Sequence, residues 1–215
     1  MGVAITGSQY LWPGRTIPYV IDPDLPDADN VEAAILHWND NSVIRFVRRT
    51  AETDYLLVTR MPGCAVSEVG RRGGKQTVCL ADDCPVGSII HELGHTIGLW
   101  HEHCRHDRDD FVTVLLDLIN EDSQSQFTID SIDDKPTPTF DIDDYDFGSI
   151  MHYSETACAF IEGTPVLIPK APLPPGLVQG QRNGLSPGDV AAVEKLYEDV
   201  PELTRPAPAG RSSPA

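Results

Sequence analysis

The sequence has no run of about 20 apolar residues and no secretory leader pattern at its start, so no segment reads as a membrane span or a signal peptide. The chain is therefore expected to be soluble, in a mature form, with no membrane partner. Basic residues are scarce: 16 Lys and Arg stand against 33 Asp and Glu, for a net charge of −17. Phosphate recognition needs a basic surface, so this balance argues against nucleic acid as a partner. The plain reading of the acidity is solubility. Much of the excess lies between Asp107 and Asp146, yet no D-x-D-x-D-G loop occurs there, which speaks against a calcium site. No internal repeat is visible. The five cysteines (Cys64, Cys79, Cys84, Cys104 and Cys158) form no C-x-x-C pair, which argues against a zinc knuckle or a thioredoxin-type motif. Their scatter through loops points to disulfides and an oxidising compartment, with one cysteine left over unless it pairs between chains.

What remains is an ordinary globular composition of 215 residues, enough for one domain with a substantial core. Residues 10–22 read as a loop leading into a strand. Residues 27–42 read as a helix, since Val31, Ala34, Ile35 and Trp38 recur at i, i+3, i+4 and i+7. "VIRFVRRT" and "YLLVTRM" read as strands. Two further strands are expected around the Gly73-Gly74 turn, and Pro85 opens the next helix. From Glu102 to Gly184 the chain is rich in Asp, Pro and turn signals, with one helical pattern around Val112 to Glu121. Ser186, Pro187 and Asp189 fit N-cap, N1 and N3 of a last helix. Residues 201–215, rich in Pro, Ala and Ser, are expected to be disordered. Helix and strands first, irregular structure later, define an α+β chain.

The chemistry concentrates in "HELGHTIGLWH", His91 to His101. On a helix, His91 and His95 share a face, and both imidazoles reach one ion at ~2.0–2.1 Å. Glu92 follows directly, beside the place of a metal-bound water. A continuous helix would carry a third histidine away. Gly98 allows a φ > 0 turn that ends the helix and returns His101 to the same ion. Three neutral histidines leave a position open, as a catalytic site requires. The competing reading is a buried helix with satisfied core histidines, but the added glycine and third histidine weigh heavily against it. Leu99 and Trp100 read as core. Downstream, "YDFGSIMHYS" places Met151 where a metzincin Met-turn would supply an apolar floor under the histidines. Read alone, that methionine is ordinary core.

With these residues in view, the sequence resembles the astacin family of zinc endopeptidases. "HELGHTIGLWHEHCRHDRDDFV" and "SIMHY" carry the resemblance, with weaker echoes in "YLWPGRTIPYVI", "GCAVSEVGR" and "GQRNGLSPGDVAAVEKLY". The resemblance implies a two-lobed metzincin fold: one catalytic domain over residues 1–200, split near residue 98. The N-terminal lobe would hold a twisted five-stranded sheet and two long helices, with an edge strand around Lys75 to Leu80 that takes an extended peptide. The C-terminal lobe would be irregular, with a C-terminal helix. His91, His95 and His101 would hold one Zn2+. Glu92 would be the general base acting on a zinc-activated water, and Tyr153 a fifth ligand that swings to stabilise the transition state. The plain alternative for Tyr153 is a packed tyrosine. Glu102 would contact the N-terminus of a chain beginning near Val3, and Met1 and Gly2, if retained, would prevent that contact in its usual form. Cys64 and Cys84 match a family disulfide. The family's other pair has no counterpart, since Val43 replaces one cysteine and none follows Tyr197. Cys104 with Cys158, or Cys79 with Cys104, are competing extra bridges. Arg182 is a candidate holder of an acidic substrate residue, or else a surface arginine. The expected protein is a secreted, monomeric zinc endopeptidase acting on proteins or peptides. The alternative is a catalytically silent, zinc-stabilised peptide-binding module, against which Glu92 and Tyr153 speak. "HEHCRHDRD" and Tyr153 oppose another metzincin family.

Overall fold

A computed structural model describes residues 2–26, 28–61, 65–132 and 135–203. Cys64, and most of the tail expected to be disordered, lie outside these residues. The strands are β1 (Gly2–Ile5), β2 (Thr16–Ile21), β3 (Arg45–Arg48), β4 (Tyr55–Arg60), β5 (Val66–Ser67), β6 (Lys75–Leu80), β7 (Leu99–Trp100), β8 (Val112–Val114), β9 (Ser131–Ile132), β10 (Lys135–Pro136), β11 (Thr139–Ile142) and β12 (Leu167–Pro169). The α-helices are α1 (Ala28–Asn41), α2 (Val86–Ile97) and α3 (Pro187–Leu196). Among the described residues no helix is long and apolar enough to cross a membrane.

The main sheet has five strands in the order β3-β2-β4-β6-β5. The first four run parallel, with Ile17 opposite Phe46, Val20 opposite Leu57 and Val58 opposite Val78. Parallel neighbours need long crossovers, and α1 supplies the one from β2 to β3. The apolar stripe of α1 is the one read from the sequence: Val31, Ala34, Ile35 and Trp38 are all buried. Trp38 lies against α2, and its indole N–H donates to Ile90 O at 3.0 Å. The expected edge strand at Lys75–Leu80 is instead covered by β5, which pairs antiparallel with it through Val66–Cys79 and Ser67–Val78. A strand before the Gly73-Gly74 turn is the one expected from the sequence, but its place outside β6 depends on a pairing that local pattern does not encode.

The other expected helix, around Val112 to Glu121, is not formed. Val112–Val114 is a strand that pairs with β12, and a single 3-10 turn at Leu116–Leu118 and a seven-residue 3-10 helix at Glu121–Phe127 follow. A three-residue Val-Thr-Val segment alternates as readily as it spirals, and the distant partner Leu167–Pro169 decided the matter. The last helix, expected over residues 186–199, starts as its sequence signal says and ends at Leu196. Ser186 Oγ accepts from Asp189 N–H, and the Asp189 carboxylate accepts from Ser186 N–H, a reciprocal capping box.

Cys79, Cys104 and Cys158 are free thiols, so neither Cys104–Cys158 nor Cys79–Cys104 bridges. Their packing explains this. Cys104 lies in a cluster with Val3, Ile5, Val69, Trp100 and Ile132, whereas Cys158 packs with Val112, Phe127 and Tyr145. Cys79 sits in β6 between Thr59 and Val66. A disulfide needs close, facing Cβ atoms.

A strand unread in the sequence holds the centre together. β1 lies between β11 and β7, pairing Val3 with both Asp141 and Trp100. Outside β11, His106 is clamped between two carboxylates, with Nδ1 3.1 Å from Asp141 and Nε2 3.1 Å from Asp130. These partners raise its pKa, the hydrogen bond to Asp141 first, against a smaller lowering by burial. A histidine bound more tightly as the cation stabilises the fold below its unfolded pKa, and that contribution is lost as pH rises through the raised value. The melting temperature of His106→Ala is therefore expected to fall furthest below wild type near pH ~5.5, with the gap closing by pH ~8.5. A gap independent of pH, read by thermal unfolding, would rule out the ionic clamp.

Candidate metal centre

The helix α2 brings His91, Glu92 and His95 into the interior, where all three are buried. Its C-terminal end is sealed rather than hydrated, and each late carbonyl has a named donor. Gly98 N–H donates to Gly94 O and His95 O, and Gly70 N–H also reaches His95 O. The Trp12 indole donates to Thr96 O at 2.9 Å and the Tyr197 hydroxyl to Ile97 O at 2.8 Å. Gly98 itself has φ 122 and ψ 4, a conformation that side chains rarely adopt. The chain reverses there, Ile5 N–H takes Gly98 O at 3.0 Å, and β7 joins β1. His101 follows at once.

The reversal brings His101 back to the helix. One ligand nitrogen from each of His91, His95 and His101 lies within 4.8 Å of the others. The outward tautomers are set by backbone carbonyls. His91 Nδ1 donates to Ile150 O at 2.8 Å and His95 Nδ1 to Leu99 O at 3.0 Å, which leaves both Nε2 lone pairs available. Burial, the largest cause, holds the pKa of His91 and His101 well below the usual imidazole value and takes His95 to about 4. All three rings are therefore neutral at neutral pH, the state in which imidazole binds a metal. The same burial pushes Glu92 up to about 8, against a smaller downward pull from Arg182.

Met151 lies under this cluster. A Cβ at Gly94 would meet the Met151 sulfur at 2.6 Å, so the small residue between the two helical histidines makes room for the methionine. The turn that carries Met151 is held by α3: the Asp189 carboxylate accepts from Ser149 Oγ at 2.6 Å and from Ile150 N–H at 2.9 Å. Asp189 was legible in the sequence as a helix cap only, and its grip on the turn was missed. The Tyr153 ring lies 4.3 Å from that of His101, and its pKa is raised above the ordinary phenol value chiefly by burial. Arg182 Nη1 donates to Ile150 O, His152 O and Gln181 O at 3.0, 3.1 and 2.8 Å, so this side chain is tied to the same turn. Glu102 is fully buried. Its Oε1 accepts from Asp146 N–H at 2.8 Å, and its Oε2 has no partner among the described residues. The contact expected of Glu102 is with the N-terminus of a chain beginning near Val3; in this chain Val3 lies within β1, paired with Asp141 and Trp100, and Met1 lies outside the described residues. So does Cys64, the expected partner of Cys84.

A helix that supplies two histidines and a glutamate, a glycine reversal that returns a third histidine, and a methionine turn below them define a metalloprotease-type centre. The sequence profile of the astacin peptidase family matches residues 4–198, and the chain belongs to that family of metalloproteases. The chain is 34% identical to human tolloid-like protein 1 over 207 residues, covering 90% of this chain and 19% of the relative. It is 36% identical to Xenopus laevis bone morphogenetic protein 1 over 197 residues, covering 87% of this chain and 27% of the relative. It thus spans only a minor part of these relatives. Among solved structures, high choriolytic enzyme 1 of Oryzias latipes, a hatching enzyme zinc-protease, superposes with a TM-score of 0.73 at 35% identity, covering 89% of this chain and 92% of the other.

The reversal at Gly98 carries a cost for any side chain. Gly98→Ala is expected to lower the unfolding free energy by about 1–3 kcal/mol and to weaken metal binding, because His101 follows the turn. Urea unfolding and zinc competition with a chelator check both. An alanine variant with unchanged stability and affinity would show that the turn is not strained.

Proposed function

We propose that this chain is a zinc-dependent endopeptidase that cleaves protein or peptide substrates, with one Zn2+ held by His91, His95 and His101. The observation that carries the reading is the convergence of three buried, neutral imidazoles beside a buried glutamate of raised pKa. The donor set fits zinc: three imidazole nitrogens leave a fourth position for substrate. When bound, the ion supplies Lewis acidity, polarising the scissile carbonyl and lowering the pKa of a water towards neutrality. Glu92 is the proposed general base. Burial raises its proton affinity, which favours taking a proton from the water and returning it to the leaving amine. Tyr153 is the proposed fifth ligand in the resting state. Its partly buried phenol keeps its proton and can donate a hydrogen bond to a developing oxyanion.

The remaining residues support these. Met151 is the proposed floor, and Glu102 the proposed partner of the chain's N-terminus. Arg182 is proposed to favour an acidic residue just after the cleaved bond, and its charge already acts on Glu92. An extended substrate would add alongside the short edge strand β5, where Val66 is exposed. We place this activity outside the cell, in a monomer.

Glu92→Gln is expected to retain one zinc per chain while kcat on a peptide substrate falls about 10²–10⁴-fold. Tyr153→Phe should lower kcat about 10²–10³-fold, with the metal likewise retained. Metal analysis with steady-state kinetics checks both. Full activity in Glu92→Gln would remove the assigned base. A wild-type protein that holds zinc, binds peptide and cleaves nothing would instead be a silent zinc-stabilised binding module. Cleavage-site profiling on a peptide library tests Arg182, and a profile without acidic preference removes that role.

A further inference from the structure

Behind the three-histidine cluster the chain assembles a second set of metal-binding groups. His101, His103 and Cys104 are all buried, and one ligand atom from each lies within 4.8 Å of the other two. Donors around a tetrahedral ion sit about 3.3–3.8 Å apart when the bonds are ~2.0–2.3 Å long. A contraction of about 1–1.5 Å would therefore turn this cluster into a coordination site.

The surrounding hydrogen bonds leave the set ready. His103 Nε2 lies 3.1 Å from Gln126 O, which can only accept. The proton of this neutral ring is thus on Nε2, and Nδ1 keeps its lone pair. That Nδ1 is buried and has no hydrogen-bond partner among the described residues, and His101 Nδ1 is in the same condition. Buried nitrogens without partners are uncommon and point to an absent ion or water. Cys104 Sγ lies 3.1 Å from the same Gln126 O, donating its S–H there. No carboxylate belongs to the set. A thiol with two imidazoles selects soft or borderline cations over Ca2+ and Mg2+.

We propose that His101, His103 and Cys104 form an accessory site for a thiophilic cation such as Cd2+ or a second Zn2+, and that filling it inhibits the catalytic centre through the shared His101. On binding, the Cys104 S–H bond breaks, its proton passes to solvent and a sulfur–metal bond forms, with no change of oxidation state. His103 Nδ1 and His101 each donate a lone pair. To keep zinc and bridge the two ions, His101 must also give up its remaining ring N–H proton to solvent and bind as imidazolate; otherwise its single lone pair leaves the His91–His95 pair. The inhibitory half rests on the endopeptidase reading. The binding half does not.

The test titrates the zinc-loaded protein with CdCl2, following metal content by equilibrium dialysis, thiolate-to-cadmium charge-transfer absorption and peptide cleavage. Wild type is expected to take up a second ion without losing zinc, to gain the absorption, and to lose at least tenfold in cleavage rate. Cys104→Ser should lack the absorption and bind the second ion at least tenfold more weakly. Its cleavage rate, relative to its own cadmium-free rate, should resist cadmium. His103→Gln should weaken the second ion likewise, and a Cys79→Ser/Cys158→Ser double variant should behave as wild type. One-for-one exchange of zinc for cadmium, or charge-transfer absorption that persists in Cys104→Ser, would overturn the site. A second ion and its absorption without any peptidase activity would overturn the endopeptidase reading and leave the site standing. A second ion that leaves cleavage unchanged would overturn the inhibition.

Discussion

The backbone reversal at Gly98 is the constraint on which the metal centre depends. An α-helix projects residues four apart from one face, so α2 can present His91 and His95 together but would carry a later histidine away. The helix must therefore stop, and the chain must turn back within a few residues. A helix that stops in the interior leaves carbonyls without water. The fold meets this with donors drawn from distant parts of the chain: Trp12 before the main sheet, Gly70 beside β5, and Tyr197 after α3. Strand β1 then takes up the exposed edge of β7. The site is thus held by residues that span nearly the whole described chain, and the reversal is stable only inside that frame.

Burial does the electrostatic work. The same dry surroundings that keep His91, His95 and His101 neutral raise the proton affinity of Glu92 and Tyr153. One cause, desolvation, keeps the ligands neutral and raises the proton affinity of the acid–base group. Arg182 opposes this effect at Glu92 and adds to it at the histidines. Its guanidinium lowers the proton affinity of Glu92 and of the histidines, while its hydrogen bonds brace the turn below them. One cation therefore both shapes and charges the centre.

Asp189 shows how a local signal can conceal a distant role. In sequence it is the third residue of a helix cap, and the structure shows that cap. The same carboxylate also holds Ser149 and Ile150, and Ile150 O in turn orients His91. The start of the last helix is thereby coupled to a metal-binding imidazole through two hydrogen-bonded links. Nothing in the spacing of residues 186–189 announces the second half of that chain.

Fold class, the α1 stripe, the α3 cap and the grouping of His91, His95, Gly98, His101 and Met151 were legible in the sequence, because each rests on short-range periodicity or on a fixed spacing along one helix. The position of β5 outside β6, strand β1, the strand at Val112–Val114 and the separation of Cys104 from Cys158 were not. Each depends on a partner far along the chain, and a segment of two to four residues has too little pattern to identify that partner. By itself the sequence determined which side chains can bind a metal and where the helix between them must end. Tertiary structure alone decided which carbonyls set the imidazole tautomers, which strand covers the edge of the sheet, and that His103 and Cys104 stand behind His101. Those outcomes follow from long-range pairing and burial, which local propensity does not encode.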